Sequence, residues 1–386
     1  MPYGAFVLLI VLFLIPLLAS PTATLAQELP HRHEQDRSID FPNVPGYLTL
    51  KVDLHMHTVF SDGSVWPNIR VEEAIRDGLD AIAMTEHLEY QPHSEDIPHP
   101  DRNRAFELAT GAAANSDLLI LPGSEITRDM PPGHANAVFI EDANRLLVPD
   151  SVGVFVEAAK QSAFVFWNHP NWTAQRKDGV ATLTPTHRYL LENNLLHGIE
   201  VVNELTYSDE ALQIALDAEL AIIGASDIHG LVDWRFNVNH GGHRPITLVF
   251  ARERSVEGIK EALFAGRTAA YFDNTIVGRS EQLVPLVESS LSVTSAKYQG
   301  DSSVMTVELE NSSDVTFILD NRTEFTFHNA ADVILVAANA TSTLEVKVPD
   351  RLAAVSLSFE VANAVIAPGT HPTIVLEAVA DESVDQ

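Results

Sequence analysis

Histidine and carboxylate residues stand at the ends of several apolar segments of this 386-residue chain. His55 and His57 end the first segment (KVDLHMH), and residues two apart on a strand point to the same side. One such pair proves little, because 16 histidines in a chain of this length give about 0.7 His-x-His pairs by chance. His31 and His33 have the same spacing but no preceding strand, and we interpret them as a chance pair.

Histidine and carboxylate residues also stand at the ends of later apolar segments. A repetition of this kind is not expected by chance. The residues concerned are Thr85-Glu86-His87, Gly123-Ser124-Glu125, Asn168-His169-Pro170 and Ser226-Asp227-Ile228-His229, with His134 just before the fourth segment. The carboxyl ends of strands in a β/α barrel converge on one face, where active sites are built. Imidazole and carboxylate are the strong metal ligands left to a chain without cysteine. The sequence therefore predicts a metal site at this face.

The segments that position these residues alternate with helix-like stretches from Tyr47 to about Asn274. The β-rich runs are Leu48–Leu54, Asp80–Met84, Leu118–Leu121, Asn136–Ile140, Ala163–Trp167, Gly198–Val202, Leu220–Gly224 and Ile246–Phe250. This alternation is typical of a parallel sheet covered by helices. In the last predicted helix, Val256–Leu263, Ser255 offers an N-cap and Gly266 a stop. Seven or eight units in about 230 residues predict an α/β fold, a closed TIM-like barrel over residues 47–277. A doubly wound open sheet is the second interpretation.

From Gly278 onward, apolar and polar residues alternate with period two, which predicts a β-sandwich domain over residues 278–386. The predicted strands are Ser303–Leu309, Val315–Leu319, Glu324–His328, Thr343–Val348 and Ala354–Val361. This part holds only two of the 16 histidines, His328 and His371, so we expect the chemistry in the barrel.

The amino-terminal residues are typical of an export signal. The apolar run Ala5–Leu18 and the small residues after it predict a signal peptide over residues 1–26, followed by a linker over residues 27–46. The run is shorter than the roughly 20 residues of a stable membrane span. An uncleaved anchor is the alternative. Either reading predicts an exported protein, periplasmic or secreted.

Charge and composition exclude other classes. The formal net charge is −29, whereas nucleic-acid binding depends on clustered Lys and Arg, so we expect no nucleic-acid partner. The absence of cysteine excludes disulfide scaffolds, thiolate zinc sites and cysteine nucleophiles.

As an ordered set, these motifs resemble the polymerase and histidinol phosphatase (PHP) family over about residues 47–275. The set also includes Ser61-Asp62-Gly63, Gly133-His134 and the run Gly198–Asn203. The resemblance implies a distorted (β/α)7 barrel with a trinuclear metal site that hydrolyses phosphate esters. The leader, the stretch from Arg244 and the β-rich tail look most like secreted bacterial phosphodiesterases related to enzymes that act on organophosphate diesters.

The resemblance also implies a ligand set. The first ion would take His55, His57, Glu125 and Asp227; the second Glu125, His134 and His169; and the third Asp62, His87 and His229. Glu86 stands where many members have Asp, and Asp62 where some have His. The mixed shell accepts zinc, manganese or iron, and zinc is our first expectation.

This ligand set would suit a phosphate ester. Three divalent ions bring six positive charges against three carboxylates, so the site stays cationic when a hydroxide and a phosphodiester monoanion bind. The mechanistic hypothesis is attack by a metal-bridging hydroxide, with His229 or another loop histidine protonating the leaving oxygen.

Five loop residues are candidates for contact with a small-molecule phosphate ester: Arg128, Trp172, Arg235, His243 and Arg244. An aromatic ring could stack on the ester group, and arginines could steer the anion. The alternative is that Trp172 packs at the rim and the arginines pair with carboxylates. Two alternatives to a phosphodiesterase remain: a phosphomonoesterase, and a noncatalytic protein that binds metal or carbohydrate. A proofreading exonuclease fits the negative charge and the predicted export poorly.

Overall fold

A computed structural model of the protein describes Met1 and residues 37–97 and 99–381. The predicted signal peptide after Met1 and residues 27–36 of the predicted linker lie outside the described residues. Within the described part, no helix is long and apolar enough to cross a membrane.

A mixed sheet forms the centre of the first domain. Its strands are β1 (Leu48–Asp53), β2 (Ala81–Met84), β3 (Leu119–Ile126), β4 (Ala135–Val138), β5 (Phe164–Trp167), β6 (Gly198–Asn203), β7 (Thr206–Tyr207), β8 (Ala221–Ala225), β9 (Ile246–Ala251), β10 (Thr268–Phe272) and β11 (Thr275–Gly278). They are ordered β11-β10-β9-β1-β2-β3-β4-β5-β6, and both β7 and β8 pair with β6. Strands such as β2 and β5 are buried along their whole length, which is why they appear in the sequence as unbroken apolar runs.

The direction of two strands corrects the expectation of a parallel sheet. The neighbours β1-β2-β3 and β5-β6-β8 are parallel, but β4 is antiparallel to both neighbours, and β9 is antiparallel to β1. Residues 127–134 between β3 and β4 are too few for the crossover that parallel neighbours require. Met56 and Ile228 form a single parallel bridge beyond the ends of β1 and β8. The seven-unit barrel detail stays a prediction.

Helices connect most of these strands: α1 (Pro67–Arg76), α2 (Arg104–Ala113), α3 (Gly153–Lys160), α4 (Pro185–Glu192), α5 (Asp209–Asp217), α6 (Val232–Arg235) and α7 (Val256–Phe264). Short 3-10 turns lie at Ala143–Leu146 and Val238–His240. The predicted N-cap of α7 is confirmed, because the Ser255 side chain accepts a hydrogen bond from the Gly258 amide. Gly266, with φ of +64°, follows the end of α7, as predicted.

His187 of α4 is a buried histidine outside the predicted site. Its ring stacks on Trp167 with centroids 4.0 Å apart, and its Nε2 donates to the Pro132 carbonyl at 2.7 Å. Burial lowers the pKa of His187 to about 4, so the ring is neutral at neutral pH.

The second domain follows helix α8 (Ser280–Ser290) and is a β-sandwich. Its strands are β12 (Leu291–Tyr298), β13 (Val304–Asn311), β14 (Phe317–Asn321), β15 (Thr326–Phe327), β16 (Val333–Val336), β17 (Ala340–Lys347), β18 (Ala354–Val361), β19 (Ala364–Val365) and β20 (Thr373–Val379). Two antiparallel sheets, ordered β12-β13-β17-β15 and β16-β14-β18-β20, face each other. Buried and exposed residues alternate along strands such as β20, which confirms the period-two prediction.

Strand β19 and the described end of the predicted linker both pack against the first domain. Strand β19 pairs in parallel with β11, and the Asn363 side chain donates to the carbonyls of Asn274 and Thr316. The described end of the predicted linker also packs against the first domain: Arg37 bonds to Asp77, and Ile39 is buried. Residues 37–46 are therefore part of the packed structure.

Candidate metal centre

Three ligand atoms lie in a tight triangle where β1 and β8 end. His55 Nε2 and His57 Nε2 are 3.0 Å apart, and each lies within 3.2 Å of Asp227 Oδ1. Ligands bound to one ion at about 2.0–2.2 Å stand roughly 2.9–3.5 Å from each other, depending on the angle between them. The triangle fits one metal ion, and the Glu125 oxygens approach both histidines to 3.6 Å.

A second set of ligand atoms surrounds the same glutamate. Glu125 Oε1 is 3.0 Å from His134 Nδ1 and 3.4 Å from His169 Nε2, while Glu125 Oε2 is 2.5 Å from His87 Nδ1. Glu125 thus contacts imidazoles from four different loops. The implied second set is brought together, with His87 as an additional neighbour.

A third set lies on the solvent side of His57. Asp62 Oδ1 is 3.2 Å from His229 Nε2, and Asp62 Oδ2 is 3.5 Å from His87 Nε2. The His57 ring stacks on that of His229 at 4.2 Å. All nine residues of the implied ligand set are therefore brought into one continuous cluster.

Unpaired atoms support a cation-binding role for this cluster. Glu125 Oε2, Asp62 Oδ1 and His169 Nδ1 are buried, yet none makes a hydrogen bond of acceptable geometry with a described residue. Buried polar atoms without partners are uncommon and call for an explanation. Metal coordination would satisfy the two carboxylate oxygens, so the residues present fit a metal centre.

The electrostatics of the cluster also favour cations. Burial opposes the charged form of His87, but Glu125 and Asp62 outweigh it and raise the pKa of His87 to about 10. Burial instead dominates at His57, whose pKa falls to about 3. Burial opposes the ionised form of Asp62, but the nearby imidazoles of His229 and His87 outweigh it and hold the pKa of Asp62 well below the usual range. The carboxylates thus stay ionised and attract positive charge.

Glu200 supports the first triangle and was given no role by sequence reasoning. His55 Nδ1 lies 2.8 Å from Glu200 Oε1, and the His169 amide donates to Glu200 Oε2 at 2.6 Å. Metal-binding histidines are commonly oriented by a carboxylate on the other ring nitrogen. The available signal was an acidic residue inside the otherwise apolar strand β6, GIEVVN.

Glu86 holds the loop that carries Asp62. Its carboxylate accepts hydrogen bonds from the Thr58 amide and hydroxyl and from the Ser61 hydroxyl, the last at 2.5 Å. Burial raises the pKa of Glu86. The longer side chain at this position is thus used to anchor a ligand loop.

Arg70 of α1 connects the two segments that hold the first triangle. Its guanidinium is fully buried and donates to the carbonyls of His57 at 2.9 Å, Ile228 at 3.0 Å and Gly230 at 2.7 Å. Glu73 pairs with it at 2.8 Å and accepts from the Val232 amide. Sequence reasoning missed Arg70, because nothing local separates it from a surface arginine on a helix.

Left-handed backbone conformations occur at two ligands. His169 has φ of +29° and Asp227 φ of +46°, and each is the second residue after a strand. Non-glycine residues rarely adopt such angles, and they are held there by surrounding contacts. At Asp227 the contacts include its amide bonded to the His55 carbonyl and the Asn203 side chain bonded to its carboxylate.

The predicted substrate residues divide into three groups. Trp172 is half-exposed beside the centre, with its ring 5.1 Å from His169 and 5.7 Å from His134. Tyr90, which the sequence did not single out, lies edge-on to His87 at 5.7 Å. These two rings stand at the mouth of the centre.

Arg128 and Arg235 are both paired with glutamates, Glu89 at 2.9 Å and Glu204 at 2.6 Å. Arg244 corrects the prediction, because it is buried and bonded to Asp53 and Asp77 rather than facing a ligand.

His243 lies apart from the ligand cluster. Its ring stacks on Tyr271 with centroids 4.1 Å apart, and it lines a cavity between the domains.

Fold and site together define a two-domain protein in which an α/β domain carries a candidate His/Asp/Glu metal centre and a β-sandwich follows. Residues 53–194 match the PHP domain, and residues 291–377 match an Ig-like domain. A two-domain protein from Bacteroides vulgatus, which contains a predicted PHP-like metal-dependent phosphoesterase, is 39% identical, with a TM-score of 0.83. The match covers 89% of this chain and 99% of that one. The chain therefore belongs to the PHP family.

Two further similarities are more limited. An error-prone DNA polymerase from Nocardia farcinica is 43% identical over 60 residues, which are 15% of this chain and 5% of the polymerase. PsfC from Pseudomonas syringae is 17% identical, with a TM-score of 0.41. The match covers 62% of this chain and 96% of PsfC. Neither similarity carries a conclusion about function.

Proposed function

We propose that this protein is an exported metal-dependent hydrolase of small phosphodiesters, with three divalent ions at its centre. The observation that carries the proposal is the cluster of six histidines and three carboxylates around Glu125. Membership of the PHP family and the similarity to a predicted phosphoesterase support the reaction class. Zinc is the first expectation, with manganese and iron as alternatives.

The residues would hold the ions as the three sets already described. Bound ions would activate water and neutralise phosphate oxygens. The chain's own groups fix the geometry: Glu200 orients His55, and Arg70 ties together the segments that carry His57 and Asp227. Among the six histidines of the cluster, His229 has the most exposed side chain, at 37%, and it is our candidate to protonate the leaving oxygen.

The arginines near the centre favour a diester over a monoester. A monoester dianion needs additional positive charge, but Arg128, Arg235 and Arg244 are each engaged by carboxylates of the described chain. A diester monoanion requires less compensation from side chains. This supports a phosphodiesterase of the secreted subgroup as the first candidate and a phosphomonoesterase as the second.

The test combines metal analysis with two substrates. Purified protein is assayed with bis(p-nitrophenyl) phosphate and p-nitrophenyl phosphate, before and after chelation, alongside elemental analysis. We expect more than one metal per chain, faster diester turnover and loss of turnover on chelation. Turnover that survives chelation would contradict the proposal, and faster monoester turnover would favour the second candidate.

A matched pair of variants separates the centre from the general charge of the protein. Asp227→Asn should abolish turnover, because it removes one ligand charge with little change in volume. Asp217→Asn alters an exposed aspartate of α5 and should retain it. If both variants keep activity, the reaction takes place at a site other than this cluster. If both variants lose metal binding and turnover, the loss is not specific to Asp227 and the cluster is not supported as the catalytic site.

Export is a separate part of the proposal, supported by the apolar run Ala5–Leu18. Amino-terminal sequencing of protein expressed from the full gene in a bacterial host should give a start at Gln27 in the periplasmic or secreted fraction. Recovery of the intact Met1 terminus from the cytoplasm would contradict it.

A further inference from the structure

A cavity of about 790 Å³ lies between the PHP domain and the Ig-like domain. The first domain supplies residues 204–205, 235–237, 240–243, 245 and 271–274 to its lining, and the Ig-like domain supplies Asp314, Thr316 and Ala338. Small-molecule sites occupy cavities of about 300–1,000 Å³ and are frequent at domain interfaces. We call this cavity the interdomain cleft.

Two loops connect the interdomain cleft with the metal centre. Asn203, the last residue of β6, donates to the Asp227 carboxylate, and the next residue, Glu204, lines the cleft. After β8, the loop that begins with Asp227 and His229 continues into Arg235, which pairs with Glu204 at 2.6 Å. A phosphodiester bound at the metals would therefore have the cleft beside it.

His243 presents an unsatisfied acceptor in the lining of the cleft. Its Nδ1 faces the Arg244 carbonyl at 2.9 Å, so this nitrogen carries the proton and Nε2 carries the lone pair. Nε2 is buried and has no hydrogen-bond partner among the described residues. Burial lowers the pKa of His243 and keeps the ring neutral. A hydroxyl donor from a ligand would satisfy this nitrogen.

The charges of the cleft disfavour a second phosphate. Glu204, Asp273 and Asp314 line it, and the guanidinium of Arg235 is engaged by Glu204. Carboxylates accept hydrogen bonds and repel anions, so they suit a ligand group that is uncharged and rich in hydroxyls. Leu205 and Phe272 also line the cleft and would supply apolar surface for its carbon atoms.

We propose that the interdomain cleft binds an uncharged polyhydroxylated alcohol group of the phosphodiester, of the glycerol or cyclitol type, while the phosphate lies at the metal centre. This inference rests on the proposed phosphodiesterase function and deepens it. It also gives the Ig-like domain a role, since Asp314, Thr316 and Ala338 form one wall of the substrate site.

The experiment uses two substrates with the same charge and the same leaving group, 2,3-dihydroxypropyl p-nitrophenyl phosphate and propyl p-nitrophenyl phosphate. The metal-loaded full chain should have a KM about tenfold lower for the dihydroxypropyl ester, which corresponds to one or two neutral hydrogen bonds. His243→Phe keeps an aromatic ring on Tyr271 and removes the acceptor, so this preference should fall to within about twofold.

A second pair of variants tests the wall contributed by the Ig-like domain. Ala338→Trp fills the cleft, whereas Ala337→Trp places the same ring at the exposed neighbouring position outside the lining. Only Ala338→Trp should lose the preference. If Ala337→Trp loses it equally, or His243→Phe and Ala338→Trp both retain it, the proposal is overturned.

Binding measured without turnover separates this proposal from the proposed function. Saturation-transfer NMR on the metal-free protein should detect myo-inositol with the wild type and Ala337→Trp but not with Ala338→Trp. Equal turnover of both esters and no transfer would overturn the cleft while leaving the phosphodiesterase intact. If neither ester is hydrolysed but transfer occurs as expected, the proposed function fails and the cleft stands.

Discussion

Replacing Arg70 by lysine should weaken the metal centre without touching any ligand side chain. The guanidinium makes three hydrogen bonds to backbone carbonyls on two segments, and Glu73 holds it in place. A lysine ammonium lacks the planar fork and can replace only part of this set. Hydrogen bonds of charged groups contribute about 1.5–3 kcal/mol each, so losing one or two should lower the free energy of unfolding by about 3 kcal/mol.

Part of that loss should appear in metal affinity. The carbonyls of His57 and Ile228 belong to the segments that carry the first triangle, so loosening them adds a cost each time the ions bind. Changes in residues that orient metal ligands typically weaken affinity by about 10–100-fold. We expect a shift of this size for Arg70→Lys, measured by competition with a fluorescent chelator on metal-free protein.

Arg279 offers the matched control. Its guanidinium also donates to two backbone carbonyls, those of Ala215 and Leu220, both at 2.8 Å. Arg279→Lys should lower the free energy of unfolding and leave metal affinity within about twofold of the wild type, because none of its partners lies in a ligand segment. If Arg70→Lys loses stability but binds metal like the wild type, the positioning argument is refuted.

Glu200, Gly63 and His187 can each be tested by one substitution. Glu200→Gln should weaken metal binding by at least about tenfold in the same competition assay. The circular dichroism spectrum should be unchanged. Unaltered metal affinity would exclude an orienting role for Glu200. Gly63→Ala should impair metal binding, because a Cβ there would lie 2.6 Å from the His57 backbone, whereas Gly111→Ala meets nothing within 4 Å and should stabilise α2 by up to about 1 kcal/mol in thermal unfolding. His187 has a folded pKa of about 4, below its unfolded value of about 6.5, so its contribution is present above pH 6.5 and is lost as the pH falls towards 4. Between pH 7 and 5, urea unfolding of the metal-free wild type should lose about 2 kcal/mol more than His187→Gln, and equal losses would show that this ring does not control the pH dependence.

Much of the fold could be predicted because the relevant signals are local. The apolar runs Ala163–Trp167 and Gly198–Val202 coincide closely with β5 and β6, and Ser255 caps α7 as expected. The direction of β4 was missed, because periodicity identifies a strand but does not say which way it runs beside its neighbours. Strands β12, β16 and β20 of the sandwich were also missed, although β20 shows the same alternation as strands that were found.

The ligand set was predictable for a related reason. Four of the ligands interrupt or follow apolar strands: His55, His57, Glu125 and Asp227. An ionisable side chain at such a buried position needs a binding partner. Glu200 gave the same signal, but its function depends on His55 and His169, which only the fold brings beside it. Glu86 likewise acquires its role from the loop it anchors.

The sequence alone determined the nature of the chemistry here: imidazoles and carboxylates at strand ends, no thiols, and a family order of motifs. Only the tertiary structure decided which charged residues serve that chemistry. Arg244 was expected at the ligand face, yet it is bonded to Asp53, 191 positions away, and is buried. The physical reason is that the role of a charge depends on the charges within a few ångströms of it. Those neighbours come from distant segments, as do the two walls of the interdomain cleft, and no local pattern encodes them.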